Sequence, residues 1–380
     1  MQSIVILGSS FAALTAVKKL RRSGYTGTIT VIAPRPVLFY YPSLIWVPAG
    51  KRTESSLTIP LENFFSRYQV TYQQANVTGL NPQECSVKTD NGDTPFEGLI
   101  IASGGRFIKK LPGIEHTYLP CSNYAEIQTY SERLKDLNSG TLAFGFTANP
   151  NEPGAVRGGP VFEFMFGIDT LLRQQGRRNQ FRIIFFNPST SPGQRLGEQA
   201  VAALLAQMAR CGIETHLGHK MKGFTANKVL TEGGEIESDL TLFMPGMTGP
   251  AWAENSGLPL SAGGFIQADE HCKVAGFDHI YVAGDSGSYP GPDWLPKQAH
   301  IADLQAVAAA KNLLLEKQNK PPRHKFKCEL VCIVDTLNKG MLVYRDEKRV
   351  RLLPPSHMLH WAKVAFEYWY MRLSLATSRL

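Results

Sequence analysis

A chain of 380 residues is long enough for two ordinary domains, and 43% hydrophobic residues with 34 glycines and 24 prolines exclude a disordered or fibrous protein. The net charge of +8 favours an acidic partner such as an anionic cofactor or lipid headgroup, but no Lys/Arg tract with interleaved aromatics argues for nucleic acid. Six cysteines without a CxxC or a Cys/His cluster exclude a disulfide scaffold and leave no metal site to expect.

Ser3 to Leu7 is a predicted buried strand, preceded by no charged segment and followed by no cleavage site of a secretory leader. Gly8 opens a turn, Phe11 to Ser23 is a predicted helix, and Thr28 to Ile32 is the next strand, a βαβ unit of the kind that begins a Rossmann fold. A Pro- and aromatic-rich stretch, Pro34 to Gly50, leads to a predicted helix near Pro60 to Tyr68 and strands near Thr71 to Thr78 and Cys85 to Thr89. Asn91-Gly92 marks a hairpin, and Leu99 to Ala102 is a buried strand ending at Ser103-Gly104-Gly105. A second α/β unit begins at Thr141, with strands at Thr141 to Phe146 and Phe181 to Phe186 and helices at Pro160 to Gln175 and Gly197 to Cys211. Ile280 to Ala283 is a strand running into Gly284-Asp285, followed by a helix from His300 to Lys317, strands within Lys325 to Tyr344, and a final helix from Pro355 to Leu375. No uncharged apolar run reaches ~18 residues, so any membrane contact is expected to be monotopic.

The expected fold is α/β, with two Rossmann-like dinucleotide-binding domains and a C-terminal amphipathic, membrane-associating helix. Residues 1–140 and 265–325 form the first domain, 141–264 a second with a degenerate nucleotide site, and 326–380 a C-terminal region.

Gly8-Ser9-Ser10-Phe11-Ala12-Ala13 stands where a G-x-G-x-x-G loop would stand. Gly8 permits the tight turn, Ser10 leaves room for a pyrophosphate, and Ala13 lets helix and strand pack closely, while the helix N-terminus supplies N–H groups to phosphate. The acid that would hold a ribose at the end of the second strand is replaced by Ala33-Pro34-Arg35, which leaves Arg35 as the candidate neighbour of the adenosine. Tyr281-Val282-Ala283-Gly284-Asp285 and the turn at Gly104 complete three partial FAD fingerprints in order, so FAD is the expected cofactor. In the second unit only Gly145 survives, followed by Thr147-Ala148-Asn149-Pro150-Asn151-Glu152-Pro153, which argues against a nicotinamide donor.

The motif order resembles the sulfide:quinone oxidoreductases of the flavin disulfide reductase superfamily, over nearly the whole chain. The resemblance rests on Phe39 with Tyr41-Pro42-Ser43, Gly159-Pro160 with Glu163-Phe164, Met244-Pro245 with Gly249-Pro250, Pro296-Lys297, Cys332-Ile333 with Asp335, His360-Trp361 with Lys363, and Phe366-Glu367. It implies FAD held by Gly8, Ser10, Ala13, Arg35, Ser43, Gly104, Gly284, Asp285 and Lys297. It implies catalysis by Cys332, Cys121 and Glu163, and a quinone near Val331, Lys363 and Phe366. It further implies sulfide or polysulfide as substrate, a membrane quinone as acceptor and a membrane surface as partner, and leaves self-association open. Arg157 stands where the resemblance places the second redox cysteine. Three outcomes stay open: Cys121 and Cys332 act together, Cys332 acts with an external sulfur acceptor, or the sulfide reaction is lost. An NADH:quinone-type flavin reductase and a catalytically altered flavoprotein subunit are the competing readings.

On the final helix, Leu359, Ala362, Phe366, Trp369 and Leu373 are expected to share one face toward lipid, with Lys363, Arg372 and Arg379 reaching the headgroups.

Overall fold

The computed structural model describes residues 2–376, with side chains through residue 372. In chain order, the first unit contains β1 (Ser3–Leu7), α1 (Phe11–Arg22), β2 (Thr28–Ala33), β3 (Val70–Gln74) and β4 (Gly98–Ile101). The helix α2 (Tyr124–Asp136) leads to the second unit: β5 (Gly140–Phe146), α3 (Gly159–Gln174), β6 (Phe181–Asn187), α4 (Glu198–Arg210), β7 (Ile213–Leu217) and β8 (Leu240–Met244). The chain returns with β9 (Ile280–Val282) and α5 (Ala299–Lys317), then ends in β10 (Glu329–Asp335), β11 (Gly340–Asp346), β12 (Val350–Ser356) and α6 (His357–Tyr368).

Two parallel sheets result, in the orders β9-β4-β1-β2-β3 and β7-β6-β5-β8, joined by an antiparallel β10-β11-β12 meander. β1 lies at the centre of its sheet, and Ile4 to Leu7 are wholly buried on both faces, which is why that run shows no apolar/polar alternation. Small residues set how closely the helices over this sheet approach: a Cβ on Gly284 would lie 3.2 Å from the Ala302 methyl and 3.5 Å from that of Ala12. Gly8 has φ +106°, and a Cβ there would lie 2.4 Å from the Ala102 carbonyl oxygen, so only glycine makes this turn.

The Pro34 to Gly50 stretch holds a short strand, Val37–Phe39, and a 3-10 turn, Tyr41–Trp46. The α2 helix was not anticipated, although Ile127, Tyr130 and Leu134 bury one face and the Asn123 side chain caps it by accepting from the Glu126 N–H. The final helix starts later than expected, because Pro354 and Pro355 finish β12 and Ser356 caps α6. From Trp369 to Ala376 it continues with π-type hydrogen bonding.

The packing of α6 corrects the expected face. Leu359 points into the protein, not toward lipid, and Lys363 does not reach outward but pairs with Glu163. The Leu373 side chain and Arg379 lie outside the described residues. The outward face carries Met358, Trp361, Phe366, Tyr368 and Trp369, of which Trp361 is 65% exposed.

The inward face is held by polar pairs. Lys363 meets Glu163, His360 Nδ1 lies 2.7 Å from Asp335 Oδ2, and Glu367 receives the Arg52 guanidinium. Glu367 is nearly sealed from water, so Arg52→Met leaves a buried carboxylate without its cation and is expected to cost about 3–5 kcal/mol in a denaturant melt. Arg52→Met combined with Glu367→Leu recovers most of that loss, which separates the ion pair from simple packing.

Candidate active site

The ends of both parallel sheets and the meander, chiefly its β10 edge strand, border a single cleft of about 2180 Å³, more than a drug-sized ligand occupies and large enough for a dinucleotide with a second ligand. Ser10, Gly104, Gly284, Asp285, Lys297, Cys121, Glu163, Val331, Cys332, Lys363 and Phe366 all border it. Four expected residues stand back from the wall. Gly8 makes the turn, Ala13 is fully buried inside α1, Ser43 is buried behind Tyr41 and Pro42, and Arg35 is exposed at the end of β2.

The first-domain side fits FAD. Ser10 is the N-cap of α1 but its side chain makes no capping bond, and no acid stands in the first turn, so the helix dipole and N–H groups are open to a phosphate. Gln298 Oε1, at the start of α5, and the Tyr370 hydroxyl are both buried beside the cleft without a hydrogen-bond partner, as groups awaiting a polar ligand would be. A Cβ on Gly105 would lie 2.8 Å from the Thr248 carbonyl oxygen, so the chain closes tightly beneath the Ser103-Gly104-Gly105 turn.

The second-domain side is built differently. Residues 147–158 separate β5 from α3, where a dinucleotide cradle would be a tight turn. Asn149 Nδ2 donates to the carbonyls of Met247 (2.8 Å) and Gly263 (3.0 Å), and Glu152 accepts from the Ser288 hydroxyl (2.9 Å) and from Ser261. The loop is thus committed to protein partners, with a Glu and two prolines where backbone N–H groups would receive a pyrophosphate.

Arg157 is not a solvent-facing loop residue. Its guanidinium pairs with Asp285 and lies against Cys121 and Tyr41. Burial pulls its pKa down, but the Asp285 carboxylate, Cys121 and Tyr41 outweigh this and raise it, so the cation is secure. Asp285 therefore reaches the cleft already engaged by a cation.

Both cleft thiols are free and kept neutral. Burial pushes Cys332 up to about 12 against the opposing pull of Lys363, and Cys121 up to about 11 despite the neighbouring Arg157. Cys332 Sγ faces the first turn of α3, 3.9 Å from where a Gly159 Cβ would stand. Burial also pushes the Lys297 ammonium down to about 8, and its Nζ donates to the Gly287 carbonyl (2.8 Å) and lies 3.7 Å from the centre of the Phe265 ring.

Behind Cys332 lies a polar network that the sequence analysis did not find. Glu163 accepts from the Asp335 backbone N–H (2.9 Å) and from Lys363, and Lys363 donates to the Ile333 carbonyl (3.2 Å). Asp335 accepts from the Trp46 indole (3.0 Å) and from the Leu337 N–H (2.8 Å). Burial lowers the Lys363 pKa, but Glu163 raises it by more, so the ammonium is retained; burial raises that of Glu163.

A profile of the pyridine nucleotide-disulphide oxidoreductase family matches residues 2–306. The chain belongs to that family. It is therefore an FAD-binding flavoprotein oxidoreductase by family and fold. Among curated proteins it is 20% identical to the sulfide-quinone reductase of Aquifex aeolicus, over 97% of this chain and 90% of that protein. It is 23% identical to a type II NADH:quinone oxidoreductase of Staphylococcus aureus, over 82% of each. Among solved structures, the Aquifex aeolicus sulfide:quinone oxidoreductase superposes with a TM-score of 0.90 at 20% identity, covering 100% of this chain and 93% of that one. A putidaredoxin reductase in complex with putidaredoxin gives 0.71 at 18% identity, over 91% of this chain and 82% of that one.

A raised thiol pKa lowers the thiolate fraction at neutral pH, and only the thiolate attacks an alkylating agent. Peptide mapping after iodoacetamide treatment at about pH 7.5 is expected to find exposed Cys85 labelled first, with Cys332 and Cys121 at least about tenfold slower. Their rates should climb as pH rises toward those raised values. For the same reason the contribution of these neutral thiols to stability is full below the pKa of an unfolded cysteine and is lost as pH rises toward about 11–12.

Proposed function

We propose that the chain is a flavoprotein of sulfide:quinone reductase type, which passes two electrons from sulfide or a related sulfur nucleophile to a membrane quinone. Residues 1–140 and 265–325 form its FAD domain, 141–264 the second Rossmann-like domain, and 326–380 its quinone and membrane region. The observation that carries the reading is the pairing of a cysteine in the cleft wall, Cys332, with a 147–158 loop that is tied to protein groups instead of cradling a second dinucleotide. A nicotinamide donor has no phosphate site there, whereas a small sulfur nucleophile needs none.

FAD, when bound, supplies two-electron redox chemistry that links a donor to an acceptor held elsewhere in the cleft. Oxidation of HS− to zero-valent sulfur releases one proton and two electrons, and reduction of a quinone takes up two of each, so one proton comes from outside. Cys332 is placed to carry the sulfur, and the neutral thiol excludes a permanent buried anion beside Glu163. Arg157, in place of a second thiol, leaves Cys121 or an external acceptor to take that sulfur onward. On the other side, Lys363, Phe366 and Val331 border the part of the cleft nearest α6, where a quinone head would meet the Glu163–Lys363 pair and the proton it holds. Lys363 and Glu163 sit in a dry setting, so a hydrogen bond from either to a quinone oxygen is stronger than in water.

The test is an anaerobic titration of the yellow holoprotein with sulfide, followed by a soluble quinone. Loss of the flavin band with sulfide and its return with quinone are expected, with NADH without effect; bleaching by NADH and not by sulfide would establish the NADH:quinone reading instead. Cys332→Ser is expected to lower the sulfide rate by at least about a hundredfold if that thiol carries the sulfur.

The aromatic outward face of α6 supports docking at a bilayer surface, since among the described residues no helix is long and apolar enough to cross a membrane. Trp361→Ser with Trp369→Ser removes two large exposed rings without touching the cleft. Partitioning onto anionic vesicles should fall by at least about tenfold, read by co-sedimentation, while the flavin spectrum is unchanged.

A further inference from the structure

Among the described residues, two arginines that border the cleft, Arg195 and Arg345, make no ion pair. Arg195, in the loop between β6 and α4, donates to the Gly154 carbonyl and, at 3.4 Å, to that of Val156. Arg345, on β11, donates to the Arg195 carbonyl (2.8 Å) and lies 4.8 Å from the centre of the Trp294 ring. Both border the cleft, and among the described residues neither pairs with a carboxylate. Of the acids that border the cleft, Asp285 pairs with Arg157, Glu163 with Lys363, Glu152 accepts from two serine hydroxyls and Asp303 from Thr15, while the exposed Asp293 pairs with neither arginine. Burial with no opposing carboxylate pushes the Arg195 guanidinium down to about 10, the mark of a cation short of an anion.

The strand register places Arg345 on the face of the meander that carries the sulfur. Cys332 pairs with Val343 and Leu330 with Arg345, so Arg345 and Cys332 share one face of the meander, about 7 Å apart along the strands. The Gly154 to Val156 backbone that Arg195 holds leads directly into Arg157 and the start of α3, where Cys332 Sγ lies. FAD phosphates do not account for the pair, because α1, whose N-terminus suits a pyrophosphate, belongs to the other sheet.

We propose that Arg195 and Arg345 form a subsite for the oxyanion head of a sulfur compound of thiosulfate type, whose terminal sulfur then lies at Cys332. A planar guanidinium presents paired N–H donors that match two oxygens of one oxyanion, and hydrosulfide offers no oxygen to such a fork. The inference rests on the reading of Cys332 as the residue that handles sulfur, and it extends that reading from bare sulfide to a substrate with a charged head. Arg157 is left out of the subsite because its charge is offset by Asp285, whereas Arg195 and Arg345 donate to neutral carbonyls and keep theirs.

Binding is read on oxidised holoprotein, with neither sulfide nor quinone present, by calorimetry and by perturbation of the flavin spectrum. The probes are thiosulfate, sulfate as an unreactive oxyanion head, and NADPH. Thiosulfate and sulfate are expected to compete for one site, and Arg345→Gln to weaken both by about tenfold, which is 1.4 kcal/mol, with flavin content unchanged. Arg195→Gln should do the same, and because Arg195 also braces the 154–156 backbone, Arg345→Gln is the variant that decides if the first loses flavin. No oxyanion binding at about 50 mM, or binding that neither substitution weakens, overturns the proposal. Tight NADPH binding lost in both variants also overturns it, by assigning the arginines to a dinucleotide phosphate. If thiosulfate binds as described but sulfide fails to bleach the flavin, the subsite stands and the sulfide reading alone falls.

Discussion

Glu163 and Asp335 are the two carboxylates on which the C-terminal part of the molecule depends. One lies in the first turns of α3 and the other at the end of β10, and together they receive Lys363 and His360 from α6. A buried carboxylate without a cation costs several kcal/mol, so Glu163 depends on the docked Lys363, while Asp335 gains from His360 of the same helix a hydrogen bond to add to those from Trp46 and Leu337. The constraint therefore fixes the position of the helix along the meander and leaves its aromatic side facing out. It also brings β10 against α3, which is what sets Cys332 beside Gly159 at the cleft wall.

The same arrangement explains which parts of the protein could be read from the chain. Both parallel sheets were legible because their strands are buried on both faces and appear as short, unbroken apolar runs such as Ile4 to Leu7 and Leu99 to Ile101. Gly8 and Gly284 were legible because the backbone there leaves no space for a side chain. The helix α2 escaped because its apolar positions are few and its surroundings polar, so only the Asn123 cap marked it. The inward face of α6 was misassigned for a physical reason: its periodicity is that of an amphipathic helix whichever side is buried, and Lys363 is equally suited to a headgroup or a buried acid until its partner is known.

The residues of the resemblance show a further limit. Glu163, Asp335, His360 and Lys363 come from three separate motifs, and nothing in the spacing of any one of them says that they meet. The pairing of Arg52 with Glu367 spans most of the chain and had no sequence signal. Arg195 and Arg345 were likewise invisible, because an arginine in a loop and another on an exposed-looking strand have surface roles far more often than buried ones. What distinguishes them is that, among the described residues, neither pairs with a carboxylate, and that is a property of three dimensions only.

Arg157 joins these observations. Arg157 puts a cation where the resemblance places a thiol: its guanidinium pairs with Asp285, and burial keeps Cys121 neutral in spite of it. A small, singly charged nucleophile gains little from that change beyond attraction. A substrate with a delocalised charged head, as proposed, would gain more, because Arg157 adds to the field and Arg345 stands on the face of the meander that carries Cys332. On the proposed reading, Arg157 in place of a second cysteine and two arginines without carboxylate partners belong together: fewer thiols would handle the sulfur, and charges would hold the compound that carries it.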